Sequence, residues 1–114
     1  MYLLIDVLEQ TEHLSTILER FVEIGVTGTT VLDSRGMGRM LLETHADLPV
    51  IKLVEQVLAE KQPTNKTLFA VVKDKQTLKK AIEVIKSICG NLNEPGKGIL
   101  FTMPLDFVEG LKKV

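Results

Sequence analysis

Apolar residues recur along the chain in a pattern that predicts two consecutive β-α-β units. The first unit begins with Tyr2–Leu8, a short apolar run that favours a buried strand. The next segment has apolar residues at helical spacing and ends at Gly25: Leu14, Ile17, Leu18, Phe21 and Ile24. Thr11 is a candidate cap for this helix. Residues 26–32 are rich in β-branched side chains and predict the second strand.

The second unit repeats this order after residue 64. Residues 67–72 predict a strand, and Asp74 is a suitable helix cap. An apolar stripe then precedes Gly90: Leu78, Ala81, Ile82, Ile85 and Ile88. Residues 99–103 predict the last strand. Together the units predict an α+β, ferredoxin-like split β-α-β duplicate (βαββαβ), in which an antiparallel four-stranded sheet carries helices on one face.

An insertion of residues 40–63 separates the two units and is longer than most connections in a compact domain. Asp47 and Pro49 form a helix-start signal, which predicts an extra helix over residues 49–60 within this insertion. The chain shows no linker and no low-complexity tract. The sequence therefore predicts one domain spanning residues 1–114.

The predicted strands are too apolar for all their side chains to face two helices. The residues concerned are Tyr2, Leu4, Val31, Phe69, Val71, Leu100 and Phe101. When helices cover one face of an antiparallel sheet, the other face stays open, and a large open apolar face marks an interface. We therefore expect a homo-oligomer assembled through the sheets.

Composition and charge restrict the partners that this chain can have. The 114 residues include 14 Lys and Arg against 15 Asp and Glu, so no basic surface is available to attract nucleic acid. The single Cys89 excludes an internal disulfide and fits a reducing compartment, which predicts a cytoplasmic location. No apolar run approaches about 18 residues, so membrane insertion is not expected.

Two glycine-rich segments combine Gly-x-Gly with a cation, at residues 35–39 and 95–98. Glycine lets backbone N–H groups approach an anion, and Arg or Lys adds the opposite charge, so together the segments could cradle a phosphate. Each segment is also compatible with an ordinary turn at a strand end. The chain shows no grouping of nucleophile, base and orienting residue, so we expect no catalytic residues and no enzymatic activity.

The sequence resembles the nitrogen regulatory PII signal-transduction family in residues 24–31, 35–39 and 96–105. The resemblance implies a homotrimer of ferredoxin-like subunits with adenine nucleotides bound at clefts between neighbours. It also implies that the region after the second strand signals to a protein target, such as a transporter or a metabolic enzyme. No cofactor is required, and the expected effector is ATP, ADP, AMP or cyclic di-AMP.

The resemblance also assigns ligand-binding residues by position. Thr30 would lie near the nucleotide base, and Lys112 occupies one of two positions where the family has phosphate-clamping arginines. The residues assigned to the two phosphate-binding loops are Gly36, Gly38, Arg39, Gly96, Lys97 and Gly98.

Besides the Lys112 position, three family residues that would contact the polyphosphate are replaced in this chain by residues without a polar side chain. Ile99 stands where the family has a lysine, Gly110 where it has the other arginine, and Met40 where it has a glutamine. Each charge-assisted hydrogen bond lost in this way is worth roughly 1.5–3 kcal/mol, so tight ATP binding in the family's pose is not expected.

Two alternatives to effector binding stay open at this point. One is a structural or interaction trimer that has lost nucleotide binding. The other is a metal-binding relative of the same fold, in which Glu43, His45 or Asp47 converge with a neighbouring subunit.

Overall fold

The computed structural model describes residues 1–44 and 64–112 and has the predicted α+β architecture. The first half contains β1 (Tyr2–Leu8), a 3₁₀ turn (Thr11–His13), α1 (Leu14–Glu23), β2 (Thr29–Ser34) and α2 (Met37–Thr44). The second half contains β3 (Asn65–Val72), α3 (Lys75–Cys89) and β4 (Ile99–Pro104).

The four strands form one antiparallel sheet in the order β2-β3-β1-β4. In the register of the two central strands, Ile5 lies between Phe69 of β3 and Phe101 of β4. β1 and β2 run in one direction and end where β3 and β4 begin. We call this the upper end of the sheet and the opposite one the lower end. This is the strand order of a ferredoxin-like fold, so the predicted fold class is confirmed.

The core lies between one face of the sheet and the two long helices, α1 and α3. Side chains at every second position of β1 and β3 enter it, because successive residues of a strand point to opposite faces. The large apolar side chains with no exposed surface are Leu4, Leu8, Ile17, Phe21, Leu68 and Ile85. Burying each of these contributes roughly 1.5–3 kcal/mol, so this layer is the main source of stability.

α3 begins with the predicted cap. The Asp74 carboxylate accepts a hydrogen bond of 2.8 Å from the backbone N–H of Thr77. This bond holds the pKa of Asp74 below its ordinary value. Thr11, in contrast, is not the cap of α1: it begins the 3₁₀ turn, and α1 starts three residues later at Leu14.

β2 lies further along the chain than the predicted strand of residues 26–32. Val26 is still part of the end of α1, since its N–H donates to the Phe21 carbonyl at 2.8 Å and its side chain is buried in the core. Pairing with β3 starts only where Thr29 lies opposite Ala70. The predicted start of β2 at residue 26 is therefore wrong, because the β-branched residues 26 and 27 lie between the end of α1 and the first residue of the strand.

The segment that follows β2 is helical earlier than expected. α2 begins at Met37 and includes Gly38 and Arg39, whereas the sequence favoured a phosphate-binding loop or a turn for residues 35–39. The bond from the Met40 N–H to the Gly36 carbonyl, at 3.1 Å, forms its first turn. The helix predicted over residues 49–60 lies outside the described residues, so it stays a prediction.

The face of the sheet turned away from the helices is largely apolar, and no helix or strand among residues 1–44 and 64–112 covers it. Cross-strand neighbours form rows on it, as in the row of Thr30, Phe69, Ile5 and Phe101. Phe101 is 40% exposed although it lies at the middle of β4. The uncovered apolar face is therefore as expected, but its composition differs from the prediction.

Strand register corrects the set of residues assigned to this face. Phe69, Val71 and Phe101 do lie on it. The other four lie on the helix side, in register with core residues or in contact with the core: Tyr2, Leu4, Val31 and Leu100. Leu3, Ile5 and Val7 of β1 take their place on the open face.

Asp6 is the exception in the core. It lies on the helix side of β1, opposite Leu68 and Leu100, with 0% of its surface exposed. Burial raises the pKa of this carboxyl from 3.8 to about 6, because the ionised form loses its hydration. The folded protein therefore holds a proton on Asp6 at pH values where the unfolded chain has released it.

This difference makes folding stability depend on pH through Asp6. As pH rises from about 4 to about 6, the unfolded state releases the proton first, so the contribution of Asp6 to the free energy of unfolding falls by about 3 kcal/mol. Asp6→Asn stays neutral and removes this dependence. We expect urea unfolding to show the variant gaining about 3 kcal/mol relative to the wild type between about pH 4 and about pH 7. If the difference in free energy of unfolding between the variant and the wild type is the same at both pH values, the raised pKa of Asp6 is contradicted.

Candidate functional site

The two glycine-rich segments lie at the same end of the sheet but on opposite edges. Residues 35–39 follow β2, and residues 95–98 precede β4, so both lie at the upper end. β2 and β4 are the two edge strands, separated by β3 and β1. Three interstrand spacings of about 4.8 Å put the edges roughly 14 Å apart. One chain therefore does not bring both segments to the same phosphate group.

The first segment forms the N-terminus of α2. Gly36 is exposed, and a Cβ placed on it would meet nothing within 4 Å, so its backbone is open to a ligand. The first N–H groups of a helix have no partner inside it, and the helix dipole favours an anion there. The segment predicted to be an anion-binding loop is thus an anion-attracting helix start.

Arg39 lies in the first turn of α2 and is half-buried. Its Nε atom is enclosed and has no hydrogen-bond acceptor among the described residues. A buried guanidinium N–H without an acceptor is costly, and a carboxylate or phosphate oxygen is the partner that it binds best. Arg39 is therefore the sequence-predicted residue whose environment points most directly to an anion.

The second segment is held against β1. Gly98 has a φ of 86°, and a Cβ added there would overlap the carbonyl oxygen of Val7. Only glycine fits this close backbone contact. The glycine at 98 thus has a structural role in packing, whatever role the sequence assigned to it in ligand binding.

Lys97 turns toward the end of α3. Its Nζ atom lies 3.9 Å from the position that a Cβ on Gly90 would occupy, directly after the last residue of the helix. An ammonium group is favourable there because the helix dipole is negative at its C-terminus. In this conformation the Lys97 ammonium group points toward the C-terminus of α3, where its charge stabilises the helix.

The lower end of the sheet holds a cavity of about 270 Å³ beside the start of β2. Its lining combines the turn after α1, the end of β3, the start of α3 and the C-terminal segment: residues 24–28, 71–73, 77 and 111–112. Lys112 therefore lies at the opposite end of the sheet from both glycine segments. Thr30 lies between the two regions, exposed on the open face of β2.

Two residues of this cavity were not identified as site residues from the sequence. Lys73 follows β3 directly, and Thr77 lies in the first turn of α3. Lys73 belongs to neither of the two glycine-rich segments. Because Lys73 directly follows a predicted strand, the sequence could have indicated that it lies at an end of the sheet.

The remaining sequence expectations are covered only in part by the described residues. No group of three or more His, Cys, Asp or Glu that could hold a metal occurs within residues 1–44 and 64–112. His45 and Asp47 lie outside these ranges, so the metal-binding alternative stays a prediction. Within the same ranges, no helix has the length and apolar character needed to cross a bilayer.

Comparison with known families gives one result that covers nearly the whole chain. The family described as Nitrogen regulatory protein P-II matches residues 2–113. A search of curated proteins finds no match.

Substitution with alanine distinguishes the packing role of Gly98 from the open position of Gly36. Gly98→Ala adds a Cβ onto the Val7 carbonyl at a positive φ, so we expect a loss of roughly 3 kcal/mol in the free energy of unfolding. Gly36→Ala meets open space and serves as the matched control, with a change within roughly 0.5 kcal/mol. Urea unfolding measures both. Equal stability of the two variants would refute the close-packing role of Gly98.

Proposed function

This chain belongs to the nitrogen regulatory protein P-II family of signal-transduction regulators, and we propose that it binds a small anionic effector, an adenine nucleotide, at clefts between three copies of itself. No cofactor is required for this function. Effector occupancy passes to a protein target through the region of residues 40–63. The single thiol fits a reducing compartment, so we propose that the protein acts in the cytoplasm.

Arg39 at the start of α2 is the observation that carries this proposal. The enclosed Nε without an acceptor and the free N–H groups of the first helical turn lie on the same element. Both favour an anion with several oxygen atoms, which is the chemistry of a phosphate group. Gly36 leaves the backbone accessible beside them.

The edge strand β2 connects this phosphate position with the position proposed for the base. Thr30 precedes Gly36 by six residues, which corresponds to roughly 20 Å along an extended strand. A ligand with a phosphate at α2 and a base near Thr30 therefore lies along the β2 edge. Lys112 and the lower cavity provide a further cation near the base end.

A second copy of the chain supplies what one copy lacks. Gly96 and Lys97 lie at the β4 edge, so they can reach an effector at the β2 edge only from a neighbouring subunit. Proteins of this family typically form trimers. The uncovered apolar face of the sheet gives an energetic reason for association, because its side chains are partly exposed in one copy.

The protein target would be contacted through α2 and the residues after it. Met37 and Met40 are 79% and 52% exposed on α2. Methionine side chains adapt to irregular apolar surfaces and are common at binding surfaces. Since α2 also carries Arg39, an anion bound at its first turn changes the same helix that presents these side chains.

A trimer without an effector is the second candidate, and the placement of two residues favours it. Lys97 is directed toward the end of α3, and Ile99 puts an apolar, 57% exposed side chain where the family has a lysine. In this alternative the oligomer and its protein contacts are retained. Measurement of effector binding distinguishes the two candidates.

Isothermal titration with ATP, ADP, AMP and cyclic di-AMP tests the effector proposal. We expect at least one of them to bind and Arg39→Ala to weaken its affinity roughly 10- to 100-fold, as for one lost charge-assisted hydrogen bond. The matched control is Lys79→Ala, which removes an exposed cation on α3 and should leave the affinity unchanged. If none of the four nucleotides gives heat, the effector-free trimer is the better description.

Association through the open face is tested by introducing a charge into it. Phe101→Glu puts a carboxylate on the apolar rows, so we expect the mass of three chains to fall to that of one in light scattering. Lys79→Glu makes a charge change on the outer surface of α3 and should leave the trimer intact. A Phe101→Glu protein that keeps the mass of three chains would show that this face is not the interface.

A further inference from the structure

The carboxyl group of Asp6 is buried without any partner. Neither Oδ1 nor Oδ2 forms a hydrogen bond with the described residues. β3 and β4 present Leu68 and Leu100 at the same register position. An ionised carboxylate is unfavourable in such surroundings unless water or donors reach it. The proposed effector site makes no use of this group.

Titratable groups from three other elements lie in the region of Asp6: Glu12, Cys89 and Lys97. Burial and then the nearby Asp6 carboxylate raise the pKa of the Cys89 thiol, to which Glu12 of the 3₁₀ turn also contributes. Lys97, from the segment before β4, acts in the opposite direction. Burial is the only cause that shifts the pKa of Asp6 itself, so none of these groups compensates its charge.

Residues 89–98 close over the end of β1 directly after Asp6. Gly98 lies against the carbonyl of Val7, and a Cβ on Gly96 would come within 4.0 Å of the Glu9 carboxylate. Lys97 connects the same segment back to the end of α3 at Gly90. We call residues 89–98 the cover. Residues 90–98 of it have no helix or strand pairing, although Leu92 packs against the core, and segments without such pairing open locally at lower cost than paired strands.

We propose that Asp6 is a buried proton switch whose ionisation opens the cover. The protonated carboxyl is neutral and fits the apolar surroundings of Leu68 and Leu100. The ionised carboxylate requires water, and separation of the cover from Val7 and Glu9 admits it. Since burial raises the pKa of Asp6 from 3.8 to about 6, the opened form releases the proton first, and opening of the cover becomes more favourable as the pH rises from about 4 to about 6.

Cys89 reports this opening, because it is the single cysteine of the chain and lies buried in the cover. Its alkylation by iodoacetamide is measured across the pH range on folded protein, and each rate is divided by that of a small thiol of the same pKa. We expect the corrected rate to rise about tenfold or more as Asp6 ionises. Hydrogen exchange of residues 90–98, corrected for intrinsic exchange, should rise over the same range.

The matched variants are Asp6→Asn, which cannot ionise, and Asp106→Asn, which neutralises an exposed carboxylate. Asp6→Asn should show no rise in either measurement, and Asp106→Asn should behave as the wild type. If Asp6→Asn does not fold, hydrogen exchange of the wild type alone decides: a rise confined to residues 90–98 supports the switch, and a flat or uniform profile overturns it. All measurements use the free protein, so the outcome is independent of effector binding.

Discussion

α1 and α3 both pack on one face of the sheet, and alternate residues of every strand therefore enter two different environments. The helix side forms an apolar core that contains Phe21, Leu4 and Leu68. The other side keeps apolar rows, such as Ile5 with Phe101, that the described residues of one chain leave partly exposed. Because two helices cannot cover both faces, the packing that stabilises the fold also leaves the apolar rows available for the association proposed above.

The strand order determines how a binding site can be assembled. The segments after β2 and before β4 lie at the same end of the sheet, but the two central strands, β3 and β1, separate them. In the function proposed above, the two edges therefore act as separate halves of one site. A chain of 114 residues would then share a pocket with a second copy, the β2 edge of one meeting the β4 edge of the next.

Long periodic elements could be predicted from the sequence, whereas the chain between them could not. β1, β3 and α3 have clear apolar periods and strong ends such as Asp74. The predicted start of β2 was wrong because local β-propensity does not reveal that Val26 is still hydrogen-bonded to α1. Side-chain direction was equally hidden, so the inward turn of Lys97 and the burial of Asp6 appear only in the structure.

Gly38 lies in the first turn of α2, although glycine lowers helix stability by up to about 1 kcal/mol relative to alanine. A free energy of this size corresponds to about a fivefold change in the ratio of unwound to helical forms. The turn that carries Arg39 is thus easier to unwind than a turn of α1 or α3 without glycine. A ligand that prefers either form of this turn acts on an equilibrium with a small free-energy difference, and α2 can respond to weak binding.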